Sequence, residues 1–339
     1  MKTQSKKNEL LELSVAEANK WLSYGLKKKE EKEVSNLLIR GNEDHLIESF
    51  HKKLEFGTGG MRGLIGIGSN RINSYTISLA TQGLCNYLKK TCENTISAVI
   101  AYDSRRFSNE FGNQTAKIFS ANNIKSYIFS DLRPTPELSF AVRELNCSCG
   151  IVITASHNPK EYNGYKVYWN DGGQITSPHD KNIITEVEKI TDFNQINFNF
   201  NNDLIIEIDS EIDKKYIEKI QSLSLYDNSK SKLKIIFSSL HGTGITQIPH
   251  ALKAFGFKNI ISVKSQELPD PEFSTVHSPN PEDINALDLG IKKLKKEKGD
   301  ILIATDPDSD RVGVALYHNE EIKILNGNQL ATLIVYYSL

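Results

Sequence analysis

Two short segments of this chain carry side chains that could do chemistry together. Residues 154–159 read Thr-Ala-Ser-His-Asn-Pro and present a serine hydroxyl on a polar loop, and residues 306–311 read Asp-Pro-Asp-Ser-Asp-Arg. The carboxylates of Asp306, Asp308 and Asp310 can converge on one ion from a curved loop, and such hard oxygen ligands favour Mg²⁺. Together the two segments predict a serine that carries a phosphoryl group beside a divalent metal, whereas either segment alone is a weak indication.

The carboxylate segment has other interpretations. An EF-hand loop is excluded, because the positions that would need Gly and Glu hold Arg311 and Tyr317. A haloacid-dehalogenase-type phosphatase would phosphorylate Asp306 and use Asp308 as an acid. That interpretation leaves the serine segment without a role, and Asp310 stands where the pattern resembles a Thr or Val position. The simplest alternative is a solvent-facing acidic turn.

Ser156 lies among turn-forming residues, so taken alone it is typical of a loop serine that bonds its own backbone. It is no esterase nucleophile, because the Gly-x-Ser-x-Gly pattern is missing. As a phosphoserine it would carry about −1.5 to −2 charges and would need cations nearby. The candidates to supply them are His157, Lys166, Arg62 and Arg311.

A glycine-rich segment at 56–63 reads Phe-Gly-Thr-Gly-Gly-Met-Arg-Gly. Its backbone N–H groups could approach an anion closely, so Thr58, Gly59 and Arg62 are candidates to bind a phosphate. It is no Walker A motif, because the Lys-Ser/Thr ending is missing, and a flexible surface turn is the alternative. The segment His-Gly-Thr-Gly at 241–244 is a weaker candidate of the same kind.

The elements that must position these segments alternate between strand and helix from about residue 97 onward, which is typical of an α/β fold. The apolar run 150–154 predicts a buried strand that ends at the serine loop, and 300–304 predicts one that ends at the carboxylate loop. Ligands of open α/β sheets bind at the carboxyl ends of strands. Residues 165–169 and a turn at 170–173 predict a hairpin that holds the serine loop at both ends.

A chain of 339 residues is expected to form two or three domains. We predict a helical extension over 1–45, in which a Ser-x-x-Glu capping box at 14–17 begins a helix. A first domain follows over 46–203, with an Asn-rich linker at its end. A second domain is predicted over 204–315, and 316–339 begins a third.

Charge and cysteine content exclude several classes of protein. The 41 basic and 42 acidic residues give a formal charge of −1, so neither nucleic acid nor an anionic membrane is expected as a partner. The four cysteines have no zinc-ligand or C-x-x-C spacing, which is typical of reduced thiols. Because the sequence shows no signal-peptide pattern and no apolar run of about 18 residues, we expect a cytoplasmic protein.

The combined motifs resemble the phosphoglucomutase/phosphomannomutase superfamily of α-D-phosphohexomutases. Residues 154–159, followed by Tyr-Asn-Gly-Tyr-Lys at 162–166, are similar to the phosphoserine loop of that family, and 306–311 are similar to its metal loop. The stretches at 133–136 and 241–244 resemble most the phosphoglucomutase and phosphopentomutase-like branch. The resemblance implies an α/β fold of tandem three-layer α/β/α domains with mixed sheets, two of them complete and a third begun.

The resemblance also implies a role for each site residue. Ser156 would carry the phosphoryl group, and a phosphate oxygen on it would join Asp306, Asp308 and Asp310 in holding Mg²⁺. The residues that stabilise charge, move protons or bind phosphate would be Arg62, His157, Lys166 and Arg311, with Thr58, Gly59 and Asn158. The implied reaction converts glucose 1-phosphate into glucose 6-phosphate, with glucose 1,6-bisphosphate as intermediate and activator.

This sequence departs from the family in one respect. Members have four domains, of which the third supplies a Gly-Glu-Glu-Ser-type loop for the sugar and the fourth an Arg-Ser-Gly-Thr-type loop for the phosphate, and neither loop is present here. Besides the sugar phosphate, a separately encoded carboxy-terminal half is therefore an expected partner. A phosphomannomutase, a phosphopentomutase and a Mg²⁺- and phosphate-binding remnant without turnover are the alternatives. The apolar segment 331–337 predicts an uncovered surface.

Overall fold

The structure is a computed structural model that describes residues 2–57 and 60–339. Across these residues it has eleven α-helices and twelve strands. The helices are α1 (Lys2–Leu22), α2 (Lys28–Leu37), α3 (Glu43–Phe50), α4 (Ser74–Thr91), α5 (Ser108–Ala121), α6 (Thr135–Glu144), α7 (His179–Glu188), α8 (Ser210–Gln221), α9 (Gly244–Ala254), α10 (Ile284–Glu297) and α11 (Gly327–Ser338). The strands are β1 (Phe56–Gly57), β2 (Gly60–Leu64), β3 (Ser97–Tyr102), β4 (Lys125–Phe129), β5 (Cys149–Ile153), β6 (Tyr162–Trp169), β7 (Ile205–Ile208), β8 (Lys234–Ser238), β9 (Asn259–Ser262), β10 (Ile301–Thr305), β11 (Val312–His318) and β12 (Glu321–Leu325).

The first sheet has the strand order β1-β2-β6-β5-β3-β4-β7. Strands β5, β3, β4 and β7 are parallel, and β6 and β2 run antiparallel to their neighbours, so the sheet is mixed. Because side chains alternate along β3, Ala98 and Ile100 enter the core beneath α4 and α5, whereas Val99 and Ala101 enter a separate core beneath α6. Helices therefore cover both faces, which confirms the predicted three-layer arrangement.

The second sheet has the order β12-β11-β10-β8-β9. Strands β10, β8 and β9 are parallel, and the β11–β12 hairpin adds two antiparallel strands at one edge. Helix α10 packs Leu287 and Leu294 against Ile236 of β8 and Leu302 of β10. The two loops of interest follow the carboxyl ends of β5 in the first sheet and β10 in the second.

Both sheets extend beyond the predicted domain boundaries. Strand β7 pairs in parallel with β4, so the first sheet ends at Ile208 rather than at residue 203. Strand β11 pairs with β10 and β12 pairs with β11, so residues 316–325, which were expected to begin a third domain, extend the second sheet. The apolar pattern of a strand indicates that it is a strand, but it does not identify the strand with which it pairs.

The predicted start of the amino-terminal helix was wrong. Helix α1 begins at Lys2, and Ser14 lies in its interior, where its Oγ donates a hydrogen bond to the carbonyl oxygen of Leu10 at 2.7 Å. The hydroxyl is satisfied within the helix and caps nothing. Trp21 near the end of α1 packs edge-on against Phe50 and Phe193, which fixes the helix on the first domain.

Helix α11 has no buried side chain, and the exposed fraction of Tyr336 is 81%. Its Tyr337 Oη accepts a hydrogen bond from the backbone N–H of Leu225 at 3.3 Å, and the Tyr337 ring contacts Tyr226. The expectation of an uncovered apolar surface at 331–337 is confirmed. Across residues 2–57 and 60–339, no helix combines the length and the apolarity needed to cross a bilayer.

Candidate active site

The serine loop (residues 154–159) and the carboxylate loop (residues 306–311) meet between the two sheets. Ser156 Oγ donates a hydrogen bond to Asp306 Oδ2 at 2.7 Å. From the first domain, the backbone N–H and the hydroxyl of Thr135 donate to the carbonyl oxygen and Oδ2 of Asp308, at 2.9 and 2.8 Å. Each domain therefore supplies one half of a single buried site.

Ser156 is held in an unusual backbone conformation. Its φ of 54° lies in the left-handed region, which a residue with a side chain rarely adopts. Its N–H donates to Thr154 Oγ1 at 2.8 Å, and Thr154 Oγ1 in turn donates to Asp103 Oδ2 at 2.6 Å. Only 2% of Ser156 is exposed. The conformation turns the Ser156 hydroxyl towards the carboxylate loop.

Arg105 is a site residue that sequence reasoning missed. Its Nη1 donates to the carbonyl oxygens of Pro159 and Tyr162 at 2.8 and 2.9 Å, and its Nη2 donates to those of Ser156 and Asn158 at 2.7 and 2.5 Å. One buried guanidinium thus binds four carbonyl groups in and just after the serine loop. The available signal was its place just after β3, at the sheet edge where the neighbouring strand β5 also ends.

Close backbone contacts hold the serine loop against strands β2 and β6. A Cβ at Gly164 would lie 2.5 Å from the carbonyl oxygen of Thr154 and 2.7 Å from that of Met61. No side chain fits there, so glycine is required at this position. On the exposed side, Arg62 Nη1 donates to Asn158 Oδ1 at 2.9 Å.

The phosphate-binding candidates Thr58 and Gly59 lie outside the described residues.

The three carboxylates of the carboxylate loop each place one oxygen within 4.8 Å of the others. Asp306 and Asp308 are fully buried, whereas 32% of the Asp310 side chain is exposed. Burial, together with the charges of Asp308 and Asp310, raises the pKa of Asp306 well above its ordinary value. The rise reflects the mutual repulsion of carboxylates that lie where water screens them poorly.

Lys166 is the cation that neutralises most of this charge. From β6 in the first sheet, its Nζ donates to Asp308 Oδ2 at 2.6 Å and to Asp310 Oδ2 at 2.8 Å. Burial opposes the charged ammonium, but the two carboxylates outweigh it and raise the pKa of Lys166. Burial likewise disfavours the Asp308 carboxylate, and Lys166 reverses this, so the pKa of Asp308 falls below its ordinary value. Both groups are charged at neutral pH.

The donor set of the carboxylate loop fits Mg²⁺. All three side chains offer hard oxygen atoms, which this ion prefers. Asp308 Oδ1 is buried and has no hydrogen-bond partner, although Oδ2 of the same carboxylate binds both Lys166 and Thr135. A buried carboxylate oxygen without a partner is costly unless a cation binds it. The residues of the carboxylate loop therefore fit Mg²⁺, with Asp308 Oδ1 as the oxygen left for a cation.

The segment at 241–244 packs against the backbone of the carboxylate loop. A Cβ at Gly242 would lie 2.3 Å from Pro307 Cα, and one at Gly244 would lie 2.4 Å from Thr305 Oγ1. Between them, the Thr243 N–H donates to the carbonyl oxygen of Pro307 at 2.8 Å. These glycines provide close packing under the loop, which differs from the phosphate cradle that the sequence suggested as a weak candidate.

The structure brings His157 to Ser156 but does not bring Arg311 to it. His157 Nδ1 lies 3.2 Å from Ser156 Oγ, and burial, together with Arg311 and Arg62, lowers the pKa of His157. The backbone N–H of Arg311 donates to Asp306 Oδ1 at 3.0 Å, whereas its guanidinium lies 3.4 Å from Glu282 at the surface. Because its pKa is lowered, the His157 imidazole is neutral at pH 7 and can accept a proton.

Fold and site together define a two-domain α/β protein in which a buried serine of one domain faces a carboxylate loop of the other. Comparison with known families agrees with this class. A profile described as phosphoglucomutase/phosphomannomutase, alpha/beta/alpha domain I matches residues 53–194, and the corresponding domain II profile matches 214–319. The chain belongs to the phosphoglucomutase/phosphomannomutase family.

Individual relatives support the same assignment. The phosphoglucomutase of Staphylococcus aureus strain MRSA252 is 40% identical over 296 residues, which cover 86% of this chain and 53% of the relative. A Thermus thermophilus structure, provisionally assigned as a phosphomannomutase, is 26% identical with a TM-score of 0.73 over 84% of this chain and 61% of that one. Parafusin from Paramecium, at 21% identity and a TM-score of 0.61 over 78% of this chain and 54% of that one, shares the fold. The chain spans about half the length of the curated relatives it matches.

Proposed function

We propose that this chain supplies the phosphoserine and metal half of a phosphoglucomutase, which interconverts glucose 1-phosphate and glucose 6-phosphate. The observation that carries the proposal is the hydrogen bond from the buried Ser156 Oγ to Asp306, within a cluster of three carboxylates. The identity of 40% to a phosphoglucomutase supports the same reaction. The free cysteines are in keeping with a cytoplasmic location, which we also propose.

In the proposed reaction, Ser156 begins as a phosphoserine and glucose 1-phosphate binds with its 6-hydroxyl towards it. The bond from phosphorus to Ser156 Oγ breaks as a bond to the 6-oxygen forms. The neutral His157 accepts the hydroxyl proton and returns a proton to the departing Ser156 Oγ, which lies 3.2 Å from its Nδ1. The resulting 1,6-bisphosphate turns over in the cleft. Its 1-phosphoryl group then passes to Ser156, and the Ser156 hydroxyl proton passes by way of His157 to the departing 1-oxygen. This step restores the phosphoserine and releases glucose 6-phosphate.

The remaining residues neutralise charge during this transfer. Asp306, Asp308 and Asp310, with a phosphate oxygen on Ser156, would hold Mg²⁺, which supplies electrostatic stabilisation of the moving phosphoryl group. Lys166, already charged between two carboxylates, would contribute a second positive centre close to the serine. Among the phosphate-binding candidates, Arg62 and Asn158 are hydrogen-bonded to each other, and we propose that they contact the phosphate together with Thr58 and Gly59.

We propose that the sugar hydroxyls and the second phosphate are bound by a carboxy-terminal half, such as the relatives have beyond the length that this chain spans. The exposed apolar side chains of α11 offer such a half a surface to contact. A protein that binds Mg²⁺ and phosphate without turnover is the second candidate. Mannose and pentose phosphates are alternative substrates.

A coupled assay tests the proposal. The chain would be incubated with glucose 1-phosphate, Mg²⁺ and catalytic glucose 1,6-bisphosphate, with and without the separately expressed carboxy-terminal half of a relative, and glucose 6-phosphate would be followed. We expect turnover when both halves are present, and parallel assays with mannose 1-phosphate and ribose 1-phosphate identify the sugar. Phosphorylation of Ser156 without turnover in any combination would support the second candidate instead.

A labelling experiment separates the serine mechanism from a phosphatase mechanism. Radiolabelled bisphosphate should leave a phosphate ester on Ser156, which hydroxylamine does not cleave. An acyl phosphate on Asp306 would be released by hydroxylamine, and that result would contradict the proposed role of Ser156.

A further inference from the structure

Arg105 uses both Nη atoms of its guanidinium on the serine loop, and its Nε forms an ion pair with the support of that loop. Besides the four carbonyl groups that its two Nη atoms bind, its Nε lies 3.3 Å from Asp103 Oδ2. The Asp103 carboxylate also accepts the hydroxyl of Thr154, which accepts the N–H of Ser156. Arg105 therefore supports Ser156 along two routes, directly at its carbonyl oxygen and indirectly at its N–H.

The face of the same guanidinium contacts the second domain. Its central carbon lies 5.0 Å from the centre of the Phe273 ring, on the segment between β9 and α10. Phe273 is 1% exposed and has a φ of 47°, so the ring is fixed in place. Cations stack favourably on aromatic faces, above all where water is excluded. Arg105 is thus bound at its edges by the first domain and at its face by the second.

A serine in the left-handed region stays there only when its surroundings over-determine the conformation. The carbonyl groups that Arg105 binds belong to Ser156 and to three residues after it. The hydrogen bonds to Arg105 hold the backbone on the carboxyl side of Ser156, whereas Thr154 holds it at the Ser156 N–H. Without the guanidinium, the buried carbonyl oxygen of Ser156 would lose its donor, and the loop would relax towards an ordinary conformation. Such a relaxation would turn Ser156 Oγ away from Asp306.

We infer that Arg105, clamped by Phe273, is a positioning residue that holds Ser156 Oγ towards the carboxylate loop while the two domains are docked. The inference deepens the proposed function and rests on it only for its kinetic readout. Arg105 forms no hydrogen bond with the Ser156 hydroxyl or with the carboxylates of residues 306–310, so it acts through the backbone of the serine loop.

Amide hydrogen exchange of the serine loop tests the inference without any chemistry. Arg105→Gln should raise exchange in the peptide 154–162 by roughly tenfold or more, since protection reports local opening. Arg105→Lys should be intermediate, because an ammonium lacks the planar fork of donors. Phe273→Leu keeps an apolar side chain but removes the aromatic face, and it should raise exchange in the same peptide. Arg106→Gln, which alters a surface ion pair with Glu272, is the control and should leave the loop unchanged.

The kinetic readout is single-turnover phosphorylation of Ser156 by saturating glucose 1,6-bisphosphate. Arg105→Gln should slow it roughly 100-fold, because a misplaced reacting atom costs about that factor, while the Mn²⁺ affinity stays within about twofold. Unchanged loop exchange in folded Arg105→Gln and Phe273→Leu would overturn the inference, as would a rise spread evenly over the whole protein. Should Arg105→Gln not fold, Arg105→Lys and Phe273→Leu decide. If the unmodified chain accepts no phosphoryl group, the proposed function fails, and the exchange result still decides the role of Arg105.

Discussion

The serine loop and the carboxylate loop solve the same structural problem by different means. Each follows the carboxyl end of a strand, and each contains a serine in the left-handed region, Ser156 with a φ of 54° and Ser309 with a φ of 57°. The serine loop is held by the guanidinium of Arg105, which binds four carbonyl groups. The carboxylate loop is held by close packing on Gly242 and Gly244.

This difference agrees with the charge that each loop carries. In the proposed function the serine loop accepts a doubly charged phosphoryl group, and the hydrogen bonds of a nearby cation fix its backbone without adding a carboxylate. The carboxylate loop is already acidic, so neutral backbone packing shapes it while Lys166 neutralises its charge. Substitutions in the two loops should therefore fail in different ways, by loss of phosphorylation in one and by loss of metal binding in the other.

The largest expected effect distinguishes Ser156 from Ser309, the two serines with a left-handed backbone conformation. Ser156→Ala should abolish phosphorylation by glucose 1,6-bisphosphate, because the acceptor oxygen is gone. Ser309→Ala is the matched control, since the Ser309 hydroxyl contacts Thr243 and Thr305 rather than the serine loop. Mass spectrometry of the intact chain measures both variants. Full phosphorylation of the Ser156→Ala variant would contradict the assignment of Ser156 as the phosphoserine.

The second prediction concerns the carboxylates. Asp308→Asn should weaken Mn²⁺ or Mg²⁺ binding more than roughly tenfold, since a buried unit charge close to a cation is poorly screened. Asp310→Asn should have a smaller effect, because that side chain is partly exposed and solvent screens it. Titration calorimetry compares the two variants with the unmodified chain. Equal affinities for all three proteins would contradict a metal site in this loop.

The third prediction concerns glycine substitutions that overpack each loop in turn. Gly242→Ala places a Cβ 2.3 Å from Pro307 Cα, and Gly164→Ala places one 2.5 Å from the carbonyl oxygen of Thr154. Each should lower the free energy of unfolding by about 1–3 kcal/mol, the usual cost of overpacking. Gly242→Ala should also weaken metal binding, and Gly164→Ala should slow phosphorylation. Gly327→Ala, whose Cβ meets nothing within 4 Å, is the control.

The smallest expected effect concerns α6, the helix whose Thr135 donates a hydrogen bond to Asp308 of the carboxylate loop. Glu137 is fully buried, and burial together with the neighbouring Asp213 raises its pKa from 4.5 to about 9. Between these values the folded chain keeps a proton that the unfolded chain releases, so stability should fall as the pH rises from 4.5 towards 9.

Glu137→Gln removes this titration, so its free energy of unfolding should depend less on pH, with the slope reduced by at most about 1.4 kcal/mol per pH unit. Urea unfolding between pH 5 and about pH 8 measures the slope, within the window set by the two pKa values. Glu144→Gln, on the exposed end of the same helix, is the control. An unchanged slope in Glu137→Gln would show that Glu137 is ionised in the folded protein.

The sequence is most informative where function depends on neighbouring residues. The serine and carboxylate segments could be predicted because each is contiguous and each follows an apolar strand. Arg105 could not, since the carbonyl groups that it binds lie more than fifty positions away, and no local pattern indicates them. For the same reason, the pairing of β7 with the first sheet was not evident from residues 205–208, which only show that a strand is present.

Lys166 joins the two domains with a buried charge, whereas Glu272 joins them with exposed ones. The Lys166 ammonium lies between two carboxylates of the other domain, and only 8% of the residue is exposed. Glu272 pairs with Arg106 and Lys160 at the surface. Dissolved ions screen surface pairs and reach buried ones far less. Moderate ionic strength should therefore loosen the rim of the domain interface while its centre remains closed.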